Sequence, residues 1–190
     1  MTGKVSFTAM EYGTRADYDL AFEHDALNVA ATAGRVIEWL KLMDCDSPYQ
    51  ITRLGHSLQT ATRAERDGAD DETVVCALLH DIGDLLAPAN HSQAAAALLK
   101  PYVSEKNHWI IEHHGLFQGY YYFHHLGMDR DLREGFRGHP HFQACADFCA
   151  KYDQAGFDPA YESAPIEFFM PMVERVMSRT INATYPSPAS

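Results

Sequence analysis

Leu78-Leu79-His80-Asp81-Ile82-Gly83-Asp84 closes an apolar stretch with an adjacent imidazole and carboxylate, and its reading decides the fold. Val74, Ala77, Leu78 and Asp81 recur at helical spacing, so they share one face of a helix expected over 73–82. Asp70 and Asp71 supply its N-terminal capping signal and Gly83 ends it. Two side chains of metal-ligand type therefore arrive together on the last turn of one rigid element.

The pattern on either side is also helical. Upstream, residues 24–43 give a long amphipathic helix with Leu27, Val29, Ala30, Ala33, Val36, Ile37 and Leu40 on its apolar side, broken over 44–48. A second helix over 50–67 carries His56 and Gln59 and stops at Gly68 as its C-terminal cap. Downstream, Asn90 or Ser92 caps an alanine-rich helix running to Leu99, and Pro101 stops it. Ser104 precedes a helix over 105–114. An aromatic loop is expected over 115–125, and Pro140 fits the first turn of a helix ending near Gln154. Residues 165–179 place Ile166, Phe169, Val173 and Val176 at core spacing, and 187–190 should fray. Strand-like alternation is scarce. The expected fold is an all-α helical bundle forming a single domain over 1–190, with its metal-binding core at about 50–155 and helices 24–43 and 165–179 packed on it.

A chain of 190 residues, 46% hydrophobic and 22% charged, can bury a sizeable core. Its formal net charge of −11 opposes binding to nucleic acid or to an anionic membrane face. No run approaches the roughly 20 apolar residues of a membrane span, and the beginning lacks a signal-peptide pattern, so a cytoplasmic location is expected. Cys45, Cys76, Cys145 and Cys149 follow no zinc-finger spacing and read as reduced, buried thiols.

Candidate ligands fall on five helical segments: His56, the pair His80 and Asp81, His91, His114 and Asp153. A titratable side chain on an apolar helix face needs a buried partner, and a shared metal centre satisfies all of them at once. Histidine and aspartate suit iron, manganese or zinc. Carboxylates can bridge two cations and offset their repulsion, which favours a pair of ions roughly 3.5 to 4 Å apart. His113 points about 100° away from its neighbour His114, so one of the two faces the centre. His24 and His108 read as surface residues.

The stretches 54–59, with its His56-Ser57-Leu58-Gln59, 77–83, His91, 111–114 and 152–153 resemble the HD-domain superfamily, and within it the mixed-valent di-iron oxygenases that cleave a carbon-phosphorus bond in 1-hydroxyalkylphosphonates. The resemblance implies an Fe(II)/Fe(III) pair. His56, His80, Asp81 and Asp153 would hold one iron, and Asp81, His91 and His114 the other, with Asp81 bridging and no catalytic residue beyond the cluster. The substrates it implies are a small organophosphonate and O2.

Departures from that group bear on the substrate. A glutamate that meets a primary ammonium there aligns with Tyr49, a lysine that serves the phosphonate aligns with Gln118, and Asp84 stands where relatives often have lysine or histidine. Tyr49, Phe117, Tyr120, Tyr121, Tyr122 and Phe123 can instead form a cage for a quaternary ammonium, with Asp46 or Asp84 adding charge complementarity. The expected substrate is (R)-1-hydroxy-2-(trimethylammonio)ethylphosphonate, converted to glycine betaine and phosphate. Substrate contacts are expected from Tyr49, Gln59, Asp84, Gln118, Tyr120 and Lys151. The alternatives are a two-metal phosphohydrolase acting on a nucleotide or phosphate ester, and a noncatalytic metal-dependent sensor. Arg130, Arg133, Arg137, Lys151 and the loop histidines are candidate phosphate anchors.

Overall fold

The computed structural model describes residues 3–179 and 182, so the expected fraying of 187–190 lies outside the described residues. Its α-helices are α1 (Arg15–Ala30), α2 (Thr32–Lys41), α3 (Arg53–Arg66), α4 (Asp71–Leu79), α5 (His91–Leu99), α6 (Glu105–Tyr122), α7 (Phe142–Phe148) and α8 (Ile166–Met177). No strand forms among the described residues.

The helix that leads into the doublet, α4, is buried all round from Val74 to Leu79, as expected of a helix apolar on every side. Asp70 caps it by accepting a hydrogen bond from Thr73 N at 2.8 Å. α3 packs on one side of α4 and α8 on another, while α5 packs on α6 and α6 on α7. α8 also reaches α2. Leu40, Leu79, Leu99, Ile111, Phe117, Phe169 and Val173 are fully buried in one apolar cluster, so the helices form a single compact all-α domain. At the end of α3, Gly68 adopts φ 78°, with Ala69 N donating to Ala64 O at 3.1 Å, so the expected glycine cap closes the helix. No helix among the described residues is long and apolar enough to cross a membrane.

Several expectations need correction. The helix expected over 73–82 spans Asp71–Leu79, so His80 and Asp81 follow its end instead of lying on its last turn, and Gly83 falls inside a 3-10 turn over Ile82–Leu85. The helix over 24–43 is two helices, the first of which begins at Arg15, earlier than its apolar pattern suggests. A capping box starts α1: Asp17 N donates to Thr14 Oγ1 at 3.3 Å and Thr14 N to Asp17 Oδ2 at 2.9 Å. Ala31, at φ −82° and ψ 0°, breaks the run. The carbonyl of Asn28 accepts from Arg35 Nη2 at 2.7 Å, so the start of α2 satisfies the end of α1. Leu27 and Val29 are 58% and 52% exposed, and only Val36, Ile37 and Leu40 of the assigned apolar side are buried.

The aromatic loop is helical as far as Tyr122, because α6 continues through Gly115 and Gly119. Gly115 serves close packing: a Cβ there would stand 2.7 Å from Ser92 Oγ on α5. The helix opened near Pro140 begins instead at Phe142, and over Cys149–Asp153 it widens into a π turn with Gln154 N bonded to Cys149 O at 3.0 Å. Among the cysteines, Cys45 is exposed while the other three are buried.

Gly83 lets the turn after the doublet press against the backbone at the start of α5; a Cβ would stand 2.8 Å from His91 Cα. Gly83→Ala should cost about 1–3 kcal/mol through this overlap. Gly34, with nothing within 4 Å of its Cβ position, should tolerate alanine and gain up to about 1 kcal/mol of helix propensity. Urea denaturation of the two variants beside wild type checks both signs.

Candidate metal centre

All six predicted ligands converge. His56 lies in the first turns of α3, His80 and Asp81 follow α4, His91 opens α5, His114 lies midway along α6, and Asp153 ends the π turn. Five are almost completely buried, and His91 keeps 28% of its side chain exposed.

Three of the imidazoles are oriented by backbone. His56 Nδ1 donates to Gly156 O at 2.9 Å, His80 Nδ1 to Ala77 O at 2.8 Å and His114 Nδ1 to Ile111 O at 2.7 Å. A carbonyl only accepts, so each Nδ1 carries a proton and each neutral ring turns the Nε2 lone pair inward. The Nε2 atoms of His56 and His80 stand 3.0 Å apart. Two facing lone pairs at that distance repel unless a cation lies between them.

Asp81 divides its two oxygens. Oδ2 lies 3.6 Å from His56 Nε2 and 3.5 Å from His80 Nε2, whereas Oδ1 lies 3.4 Å from His91 Nε2 and 3.3 Å from His114 Nε2. Asp153 Oδ1 joins the first set, 3.3 Å from His56 Nε2 and 3.6 Å from His80 Nε2. It also accepts from Gln118 Nε2 at 2.9 Å, while Asp153 Oδ2 is buried without a partner. Donors bound to one ion at about 2.0–2.2 Å stand roughly 3 to 3.5 Å from each other. This donor set and the unpartnered oxygen fit metal ions in two positions: His56, His80, Asp81 and Asp153 around one, Asp81, His91 and His114 around the other.

Electrostatics agree. Burial opposes ionisation of Asp81, but the imidazoles of His80, His114 and His56 hold its carboxyl well below the usual range, and His80 and His56 do the same for Asp153. Burial likewise opposes protonation of His56 and His80, and is outweighed by Asp153 and Asp81 at His56 and by Asp81 and Asp153 at His80, which raise both rings above the ordinary value of 6.5. The centre attracts positive charge.

A cavity of about 690 Å³ opens onto it. Tyr49, Asp84 and Gln118 line the cavity; Gln59, Tyr120 and Lys151 do not. Gln59 brackets Asp158, donating to its carbonyl at 2.6 Å and accepting from its N at 3.2 Å, which fixes the segment carrying Gly156. Tyr120 lies under the guanidinium groups of Arg133 and Arg130, 3.6 and 4.0 Å from its centroid. Lys151 pairs with Asp67 at 2.9 Å on the surface. Of the expected cage, Tyr49, Tyr121 and Tyr122 line the cavity, whereas Phe117 is buried against Trp109, Phe136 and Phe142. Phe123 packs where Gly119 leaves room, outside the lining. Asp46 bonds within its own loop.

Phe157 and Arg53 are among the lining residues that escaped the sequence reading. Phe157 stacks on His56 with ring centroids 4.2 Å apart and meets Tyr49 at 4.9 Å; a loop aromatic gives no periodic signal. Arg53 is the only lysine or arginine among the described residues lining the cavity. It stands one helical turn before His56, and that spacing was a usable signal. Likewise His114, Gln118 and Tyr122 form a stripe at i, i+4 and i+8, legible once α6 is extended.

Fold and site together define a helical bundle whose facing helices bring to one place buried His and Asp groups that could hold metal ions. The HD domain matches residues 53–147, half of the chain, and the chain belongs to the HD-domain family, whose members are mostly metal-dependent enzymes. Asp153 lies just beyond the matched residues. No curated protein matches the chain.

Metal and pH should act together on stability. With chelator, the pairing of His56 and His80 with the carboxylates contributes stability that is full below 6.5 and is lost as pH rises through their raised folded values. With Mn²⁺ at about a hundred times its Kd, stabilisation should reach about 2.7 kcal/mol and should grow with pH, because protons compete for the same Nε2 atoms. Thermal denaturation at about pH 6 and about pH 8, with EDTA or Mn²⁺, checks these opposite slopes.

Proposed function

We propose that the protein is an O2-dependent di-iron oxygenase that cleaves the carbon-phosphorus bond of a 1-hydroxyalkylphosphonate. The proposed substrate is (R)-1-hydroxy-2-(trimethylammonio)ethylphosphonate, and the products are glycine betaine and phosphate. The observation that carries this reading is the cavity lining: inward-facing metal-ligand atoms, one arginine and four aromatic rings share one volume. Iron, when bound, supplies the redox chemistry with O2. Both oxygen atoms enter the products, the carbinol carbon ending as a carboxylate and the phosphorus as phosphate.

The chain's own residues bind and orient. Asp81 keeps the two ion positions adjacent through its divided oxygens. Arg53 suits the phosphonate, since a guanidinium offers planar, paired donors to tetrahedral oxyanions. Tyr49, Tyr121, Tyr122 and Phe157 suit a trimethylammonium group, which lacks an N–H donor and is held by aromatic faces at about 0.5–2 kcal/mol each. Gln118 holds Asp153, so the former lysine position supports a ligand.

Phosphate release from this compound with iron, ascorbate and O2 is the expected outcome. Arg53→Gln should lower kcat/KM by about 10–100-fold, the worth of a hydrogen bond to a charged group. Tyr49→Ala should weaken the trimethylammonium substrate more than its primary-amine analogue. Release of phosphate from nucleotides or phosphate esters with Mn²⁺ under anaerobic conditions, and none from the phosphonate with O2, would replace this reading with a phosphohydrolase.

A further inference from the structure

We propose that Asp84 is the positioning residue of the second ion position, holding His91, and that Arg53 fixes Asp84 in that role. The inference rests on the two-ion reading and deepens it.

His91 differs from the other three imidazoles. Each of those has a backbone carbonyl behind its Nδ1. His91 is the first residue of α5, after a short 3-10 turn over Pro88–Asn90, so no preceding α-helical turn offers it a carbonyl. Its Nδ1 faces a side chain instead, 3.3 Å from Asp84 Oδ1, while its Nε2 stands 3.4 Å from Asp81 Oδ1. A carboxylate behind an imidazole fixes the Nδ1 proton and the ring's direction, and leaves Nε2 for the ion. His91 also has the most exposed side chain of the four, 28% against 2% or less. Packing alone constrains it least.

Asp84 is itself held. Arg53 Nη1 lies 2.6 Å from Asp84 Oδ2 and 3.6 Å from Asp81 Oδ2. The arginine thus sits between two carboxylates that would otherwise repel, and it turns the other oxygen of Asp84 toward His91. Gly83 contributes by letting this turn approach the His91 backbone. The consequence is local: Asp84 supports the Asp81, His91 and His114 position, while His56 and His80 at the other rely on carbonyls.

Cobalt titration of the metal-free chain, followed by the visible absorption of Co²⁺, tests this. Wild type should take two ions. Asp84→Asn should keep one affinity unchanged and weaken the other by about 10–100-fold, matching the ion lost in His91→Ala, and Asp84→Glu should restore part of it. Arg53→Met, which leaves the carboxylate in place, should weaken the same ion by a smaller factor and covers the case in which Asp84→Asn does not fold. Two wild-type affinities in Asp84→Asn, or both weakened alike, would overturn the proposal while leaving the two-ion reading intact. A wild-type chain that takes up a single ion overturns both.

Discussion

Asp81 is a buried anion with histidine nitrogens on either side, and the arrangement of the bundle depends on compensating that charge. Removing a carboxylate from water carries an effective penalty of several kcal/mol unless opposite charge and hydrogen bonds meet it. Here α3, α5 and α6, together with the end of α4, each bring an imidazole within 3.3 to 3.6 Å of its oxygens. Apolar burial along α4 stabilises the scaffold, while the backbone carbonyls behind three rings limit the freedom of the centre. A core that aims so many fixed donors at one place is preorganised for a cation, because little reorganisation is left for the moment of binding.

The sequence made some of this readable for local reasons. Gly68, Asp70 and Ser104 act on the few residues beside them, so the ends they mark are found where expected. The convergence of the six side chains was legible because a histidine or aspartate on an apolar helix face has few alternatives to a shared centre. Gly115 and Gly119 misled because a glycine needed for close packing and a glycine in a loop look alike in one dimension. That misreading also hid the alignment of Gln118 and Tyr122 with His114.

The wall of the cavity was less legible than its floor. Whether an aromatic residue lines a cavity or fills a core depends on the elements above it: Phe117 and Tyr121 lie one turn apart on one helix, yet one is wholly buried and the other faces the opening. Tyr120 is covered by Arg130 and Arg133 from the segment beyond α6, and Lys151 is held by Asp67 across the bundle. Such partners are set by tertiary packing and leave no periodic trace. Phe157 enters through the same route from a loop, whereas Arg53, one turn of helix before His56, left a spacing that could be read.

The π turn over Cys149–Asp153 has an evolutionary consequence. It accommodates one residue more than an α-helical turn would. In an ordinary helix an inserted residue turns everything after it by about 100°, whereas the wider turn absorbs the extra residue where it stands and leaves the direction of the following chain nearly unchanged. A gain or loss of one residue here is therefore a change of length that α7 and the segment after Asp153 need not feel, and it marks a place where lineages of this chain can differ in length without differing in fold.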